Sequence, residues 1–344
     1  MSDPDFSWEG RPLRVAVVGV GHLGTFHSRI YAAHPGAELV AIVDRDLPRA
    51  SALAEELGCL AVGDLSELPG DLDAASVVVS TPAHAAVAVP LLEAGVPCLV
   101  EKPLAESLES ADAILAAAEG SGAAIAVGHV ERFQPGLRRV REMGLAPRFI
   151  ESHRLTAFSL RSSEVGVVHD LMIHDLDLVL DLIGAPLESV DAVGTKIFTE
   201  CEDVASVRLA FQGGARANVT ANRVSLSPMR RFRMFSEDSY ASLDFVKNYG
   251  LIVRKGPQWD ERRGSLAGLD AEALAKAQSD MLESGLLEVE ELQLEGEQRP
   301  LQAELDAFLR NVREGTTPEV SGAHGRRALE LAEQIVGQIQ AQPD

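Results

Sequence analysis

Five short, continuously apolar runs dominate the first third of the chain: RVAVVGV at 14–20, ELVAIVD at 38–44, ASVVVS at 75–80, CLVEKP at 98–103 and AAIAVG at 123–128. A strand with one wet face alternates apolar and polar residues, so runs without alternation are buried on both faces, as in a parallel sheet covered by helices above and below. The stretches between them have helical period over 48–57, 84–94 and 107–119, the last with Ser107 as a cap. Strand and helix in alternation predict an α/β fold, a doubly wound parallel sheet.

From about residue 148 the pattern changes. RFIESHRLTAF, SVDAVGTKIF, ASVRLAF, GARANVTANRV and RRFRMFS alternate, and a single strongly apolar helix spans 169–183. That is the α+β pattern of a second domain on an open, mainly antiparallel sheet. At roughly 100–200 residues per domain, 344 residues make two domains, with expected bounds of 11–128 and 129–344. From Leu301 onward the tail is helical twice, with TTPEVSG as the turn.

Gly19-Val-Gly21-His22-Leu23-Gly24 lies where the first strand turns into a helix. With 29 glycines in 344 residues such a triplet arises by chance about 0.2 times, so its context must carry the argument. Asp44 ends the next strand twenty residues beyond Gly24, the spacing of a dinucleotide fingerprint. In that fingerprint Gly19 allows the tight turn, Gly21 lets backbone N–H groups reach a pyrophosphate, and Gly24 lets helix and strand pack closely. Asp44 would bind ribose hydroxyls and repel a 2′-phosphate, which favours NAD, while Arg45 beside it leaves NADP open.

Ser80-Thr81-Pro82 with His84, and Glu101-Lys102-Pro103, follow the strands ending near 80 and 101. The carboxyl ends of parallel strands are where an open α/β sheet holds its ligand, so these residues join the expected cofactor site. A lysine at such an edge is as often plain surface. On the helix VHDLMIHDLDLVLDLIG, steps of 100° put His174, Asp177 and Asp181 within about 40° of Asp170, a polar stripe on an otherwise apolar cylinder. Asp170 and His174 at i, i+4 suit acid–base chemistry. Solvent or backbone could equally face the stripe. No third ligand accompanies the pair, so no metal is expected.

Against 31 Lys+Arg stand 52 Asp+Glu, a net charge of −21, which disfavours nucleic acid and anionic membranes as partners. No apolar run approaches the ~18 residues of a membrane span, and MSDPDFSWEGRP is not a signal peptide, so a cytoplasmic protein is expected. Cys59, Cys98 and Cys201 lie far apart, as free thiols do. The positive charge is local: residues 126–165 carry +3 and 204–236 carry +6. Arg132, Arg154 and Arg161 are candidates to clamp a phosphate or carboxylate of the substrate, whereas Arg230, Arg231 and Arg233 more readily pair with acids or sit in a subunit interface.

VAVVGVGHLGTFHS, STP with His84, EKP and HDLMIHDLD, in that order, resemble the Gfo/Idh/MocA oxidoreductases over essentially the whole chain. The resemblance implies a Rossmann domain, a second α/β domain whose open sheet makes a homodimer or homotetramer, and hydride transfer to NAD(P) from a secondary hydroxyl of a sugar or polyol. It implies Lys102 near nicotinamide and substrate hydroxyl, His174 as acid–base and Asp170 beside it. VGHVERFQP, PRFIESHRL and the stretch through ANVTANRVS are most similar to bacterial enzymes that oxidise UDP-N-acetylglucosamine at C3, which supply a 3-keto sugar to an aminotransferase in lipid A synthesis. An anionic nucleotide-sugar agrees with the arginine-rich second domain. A free-sugar or inositol dehydrogenase, an NAD-dependent glycosidase and a non-catalytic NAD/sugar sensor are the alternatives.

Overall fold

The computed structural model describes residues 8–159, 164–262, 285–296 and 298–342. The chain divides into two compact units, Met1–Gln134 with Glu297–Glu333, and Pro135–Gly296 with Gln334–Asp344.

In the first unit β1 (Leu13–Val18), α1 (His22–Ala33), β2 (Ala37–Val43), α2 (Leu47–Leu57), β3 (Leu60–Val62), β4 (Ala74–Val77), α3 (His84–Glu93), β5 (Cys98–Glu101), α4 (Leu108–Ser121) and β6 (Ile125–Gly128) alternate. All strands pair in parallel, in the order β3-β2-β1-β4-β5-β6. This is the doubly wound order with its switch point between β1 and β4. Val15, Ala16, Val17 and Val18 are all buried, as expected of a strand covered on both sides. Ser107 caps α4 by accepting the Ser110 N–H at 3.2 Å, and Asp46 caps α2. The expected single boundary after 128 does not describe the tail. The helix Pro300–Glu314 packs Leu305, Phe308 and Leu309 into the same core as Val15, Val17 and Tyr31, so it belongs to the first unit.

The second unit holds α5 (Pro135–Glu142), β7 (Phe149–Leu155), α6 (Ile173–Ile183), β8 (Leu187–Thr195), β9 (Val204–Phe211), β10 (Arg216–Asn222), β11 (Met229–Phe235), β12 (Ser239–Asp244), β13 (Tyr249–Lys255) and β14 (Leu287–Gln293). The sheet order is β14-β13-β12-β11-β7-β10-β9-β8, antiparallel except for the central pair β7 and β10. Period-two alternation puts Ile150, Ser152 and Arg154 of β7 on the buried face. A buried guanidinium needs a partner, and α6 supplies Asp175: Arg154 Nε donates to Oδ2 at 2.7 Å and Nη2 to Oδ1 at 3.1 Å. Replacing Asp175 by Ala should therefore destabilise the protein by about 3–5 kcal/mol, read as a lower urea midpoint, because it removes the carboxylate that pairs the fork of a buried cation. A loss under about 1 kcal/mol would mean that the pair does not hold helix to sheet.

Candidate functional site

The glycines of the first turn are demanded by contact. Gly19 has φ of +91°, and a Cβ there would meet the Val78 carbonyl oxygen at 2.6 Å; a Cβ on Gly24 would stand 1.9 Å from the Gly19 oxygen. Gly21 is the opposite case, with open space around its Cβ position, and it begins α1 without a side-chain cap. The first N–H groups of α1 are thus left for an anion. Gly19, Gly21, Asp44, Arg45 and Ser80 line one cavity of about 420 Å³. Asp44 accepts the Val20 N–H at 2.8 Å, the Asp46 N–H at 2.9 Å and Arg49 Nη2 at 2.8 and 2.9 Å. Burial works to raise its carboxyl, but these donors outweigh burial and hold it below its ordinary range. The glycine cradle and the anchored carboxylate fit a dinucleotide. Arg49, which also lines this cavity, escaped the sequence reading; its place in the first turn after the Asp46 cap was the available signal.

Other expected cofactor residues lie differently. His22 and Leu23 open α1, where Leu23 is exposed and His22 rests edge-on against Phe26. Thr81 and Pro82 form a 3₁₀ turn. The His84 ring points into protein, with Nδ1 3.0 Å from the Pro103 oxygen and Nε2 3.1 Å from the Val79 oxygen. It ties the loop after β4 to the loop after β5. Burial pushes its pKa down, against the opposing pull of those carbonyls.

At the end of β5, Glu101 accepts the Lys102 N–H through Oε2 at 3.2 Å and faces His27 Nε2 through Oε1 at 3.1 Å. Burial works to raise this carboxyl, but the hydrogen bond with His27 and the charges of His27 and Lys102 hold it low. A Cβ on Gly128 would meet the carboxylate at 2.8 Å, so β6 must carry glycine where it passes. Glu101 is therefore a buried anchor behind Lys102. His27 was absent from the sequence reading.

In the second unit Asp170 belongs to one turn of π-helix, Val168–Met172, and His174 to the first turn of α6. The π turn departs from the 100° step between Asp170 and His174, while His174, Asp177 and Asp181 keep their regular spacing within α6. Asp170 and His174 are partly exposed, Asp177 is buried, and Asp181 pairs with Arg141. Glu202 holds the turn by accepting the Val168 N–H at 3.1 Å, while its own carbonyl accepts the Val167 N–H at 3.0 Å. Arg223 donates to the Val165 oxygen. Beside them Asp203 gathers the N–H groups of Ile197, Phe198 and Thr199, which override burial and hold it at about 2.

The arginines divide as the charge count could not foresee. The Arg154 fork engages Asp175, and Arg132 is 2% exposed, so neither presents a free guanidinium surface to a substrate phosphate. Arg231 pairs with Asp244 and Arg233 with Glu151, as expected of them, and Arg230 stacks over Phe245. Arg161 lies outside the described residues.

Residues 13–129 match the profile described as oxidoreductase family, NAD-binding Rossmann fold, and residues 147–240 match the GFO/IDH/MocA C-terminal domain. The chain is 36% identical over 333 residues to UDP-N-acetylglucosamine 3-dehydrogenase of Acidithiobacillus ferrooxidans, covering 96% of this chain and 98% of that protein. A solved structure of that enzyme superposes with a TM-score of 0.83 at 35% identity, covering 96% of this chain and 99% of the other. The scyllo-inositol 2-dehydrogenase (NAD(+)) of Bacillus subtilis is 30% identical over 243 residues, 62% of this chain and 68% of that protein. Levoglucosan dehydrogenase in complex with NADH shares the fold, at a TM-score of 0.79 and 18% identity over 96% of this chain and 97% of the other. The first unit is accordingly an NAD-binding Rossmann domain, and the chain belongs to the Gfo/Idh/MocA oxidoreductase family.

Proposed function

We propose that this protein is an NAD-dependent dehydrogenase that oxidises the C3 hydroxyl of UDP-N-acetylglucosamine. The observation that carries the reading is near-full-length similarity to an enzyme of that name, at 36% identity over 96% of the chain. The glycine cradle and Asp44 hold NAD, which when bound accepts hydride at its nicotinamide. His174 takes the hydroxyl proton, Asp170 orients the imidazole and steadies its charged form, and the Lys102 ammonium stabilises the developing alkoxide. Arg161 is the remaining candidate for the diphosphate. On this reading the 3-keto product feeds an aminotransferase in lipid A synthesis, in the cytoplasm. Phe149, Phe235 and Tyr240 form a partly exposed aromatic row on the second sheet, with centroids 5.6 and 4.9 Å apart, which supports homo-oligomers formed through that face. Among the described residues no helix is long and apolar enough to cross a membrane.

NADH formation with UDP-sugars, free sugars and inositols tests the substrate. UDP-N-acetylglucosamine should lead; efficient oxidation of inositol without response to UDP-sugars would favour the second reading, which the inositol dehydrogenase relatives support. Glycoside cleavage without net NADH would indicate a glycosidase, and tight binding without turnover a sensor.

Lys102→Ala and His174→Ala should each lower turnover by roughly 10²-fold or more while NAD binding stays near normal. Unchanged turnover in both would place the base elsewhere. By calorimetry NAD should bind more tightly than NADP, and Asp44→Ala should weaken NAD by about tenfold while narrowing that preference. Equal or better NADP affinity in the wild type would assign the adenosine end to Arg45 and Arg49 instead.

A further inference from the structure

Behind the Lys102 segment lies a second carboxyl that the mechanism does not use. Glu304, on the helix Pro300–Glu314, is 2% exposed, and among the described residues neither of its oxygens has a hydrogen-bond partner. The adjoining cavity, lined in part by Leu99, Phe133, Phe308 and Glu304 itself, measures about 10 Å³, room for at most one water. At most one water can therefore reach the carboxyl, far less solvation than an ionised carboxylate has in bulk water.

The charged surroundings do not stabilise one either. Burial, together with the negative charge that Glu101 already carries and that His27 and Lys102 balance, drives the Glu304 carboxyl well above its ordinary range; Glu319, a second acid, lines the same cavity. On α1, which packs against this helix, the buried groups are His27, bonded to Glu101, and Tyr31, bonded to Ser76 at 2.8 Å. His34 of α1 faces Asp306 at 3.1 Å instead. The 3₁₀ turn Val130–Phe133 also packs against the helix and brings buried Glu131 and Arg132, with buried His129 just before it.

We propose that Glu304 is a proton-holding positioning residue. As a neutral acid it leaves Glu101 the one negative charge that fixes His27 and the Lys102 segment, and loss of its proton sets two carboxylates against each other and loosens that segment. Glu101 is held by two hydrogen bonds, with His27 and from the Lys102 N–H, so displacement of its carboxylate transmits directly to the lysine backbone. The functional half of this inference rests on Lys102 acting in the proposed reaction.

A group whose folded pKa lies above its unfolded value gives stability that is complete below the unfolded pKa and is lost as pH rises toward the folded one. Wild type, Glu304→Gln and Glu304→Met should be melted as full chains from about pH 5 to about pH 8, with kcat/KM measured in parallel on NAD-saturated enzyme. The melting temperature of wild type should fall behind both variants by about 2–4 °C across that range. Its kcat/KM should match theirs within about twofold at the acid end and fall roughly fivefold behind at the alkaline end. A purely structural Glu304 would instead give differences that do not change with pH, and that result overturns the proposal. The Met variant guards against a Gln amide that the pocket rejects. The melting series needs no substrate, so it decides where the proton resides whichever sugar is turned over.

Discussion

The constraint on which the first unit depends is steric: the Gly24 position on α1 comes so near the Gly19 carbonyl that a Cβ would stand 1.9 Å from it. Because helix and strand meet there without side chains between them, the first turn of α1 begins immediately beyond the strand end, with its N–H groups uncapped. The same turn brings the Val20 N–H onto Asp44, so the carboxylate proposed to read the ribose is oriented by the loop proposed to receive the pyrophosphate. Any larger residue at 19 or 24 would separate these two halves of the dinucleotide cradle.

Charge follows a similar economy in the second unit. The surplus of arginine there first suggests an anionic ligand, yet Arg154, Arg231 and Arg233 are matched with Asp175, Asp244 and Glu151. Arg223 meets Asp203 at 3.6 Å, with both side chains buried. The first of these pairs fixes α6 on the sheet and the next two tie neighbouring strands, while Glu202 and Arg223 hold the segment that leads into the π turn carrying Asp170. Local charge excess is thus weak evidence for a ligand when period-two alternation puts the cation on the buried face.

The doubly wound sheet, the fingerprint and the helix before 183 were legible because each rests on local pattern: unbroken apolar runs, glycines at fixed spacing, one polar pair on an apolar helix. What was illegible depends on distance in sequence. Nothing near residue 304 announces that its helix belongs to the first unit, about 200 residues after Glu101, or that its carboxyl finds no hydrogen-bond partner among the described residues. The π turn is equally hidden, since a helical wheel presumes the regular step that the turn breaks. Arg154 could have been read correctly, because Ile150, Ser152 and Arg154 alternate on one face with the core. Arg49 and His27 left only faint signals, a helix first turn and a histidine one turn beyond the glycines.

The central claim is that hydride leaves C3 of the sugar for a cofactor held by this glycine turn. UDP-N-acetylglucosamine carrying deuterium at C3 tests it most directly, with NAD and purified full-length protein, by mass spectrometry of the reduced cofactor. The account predicts deuterium in the nicotinamide ring and its loss from the 3-keto sugar. Reduced cofactor that forms without deuterium, from sugar that still holds its label at C3, would contradict it.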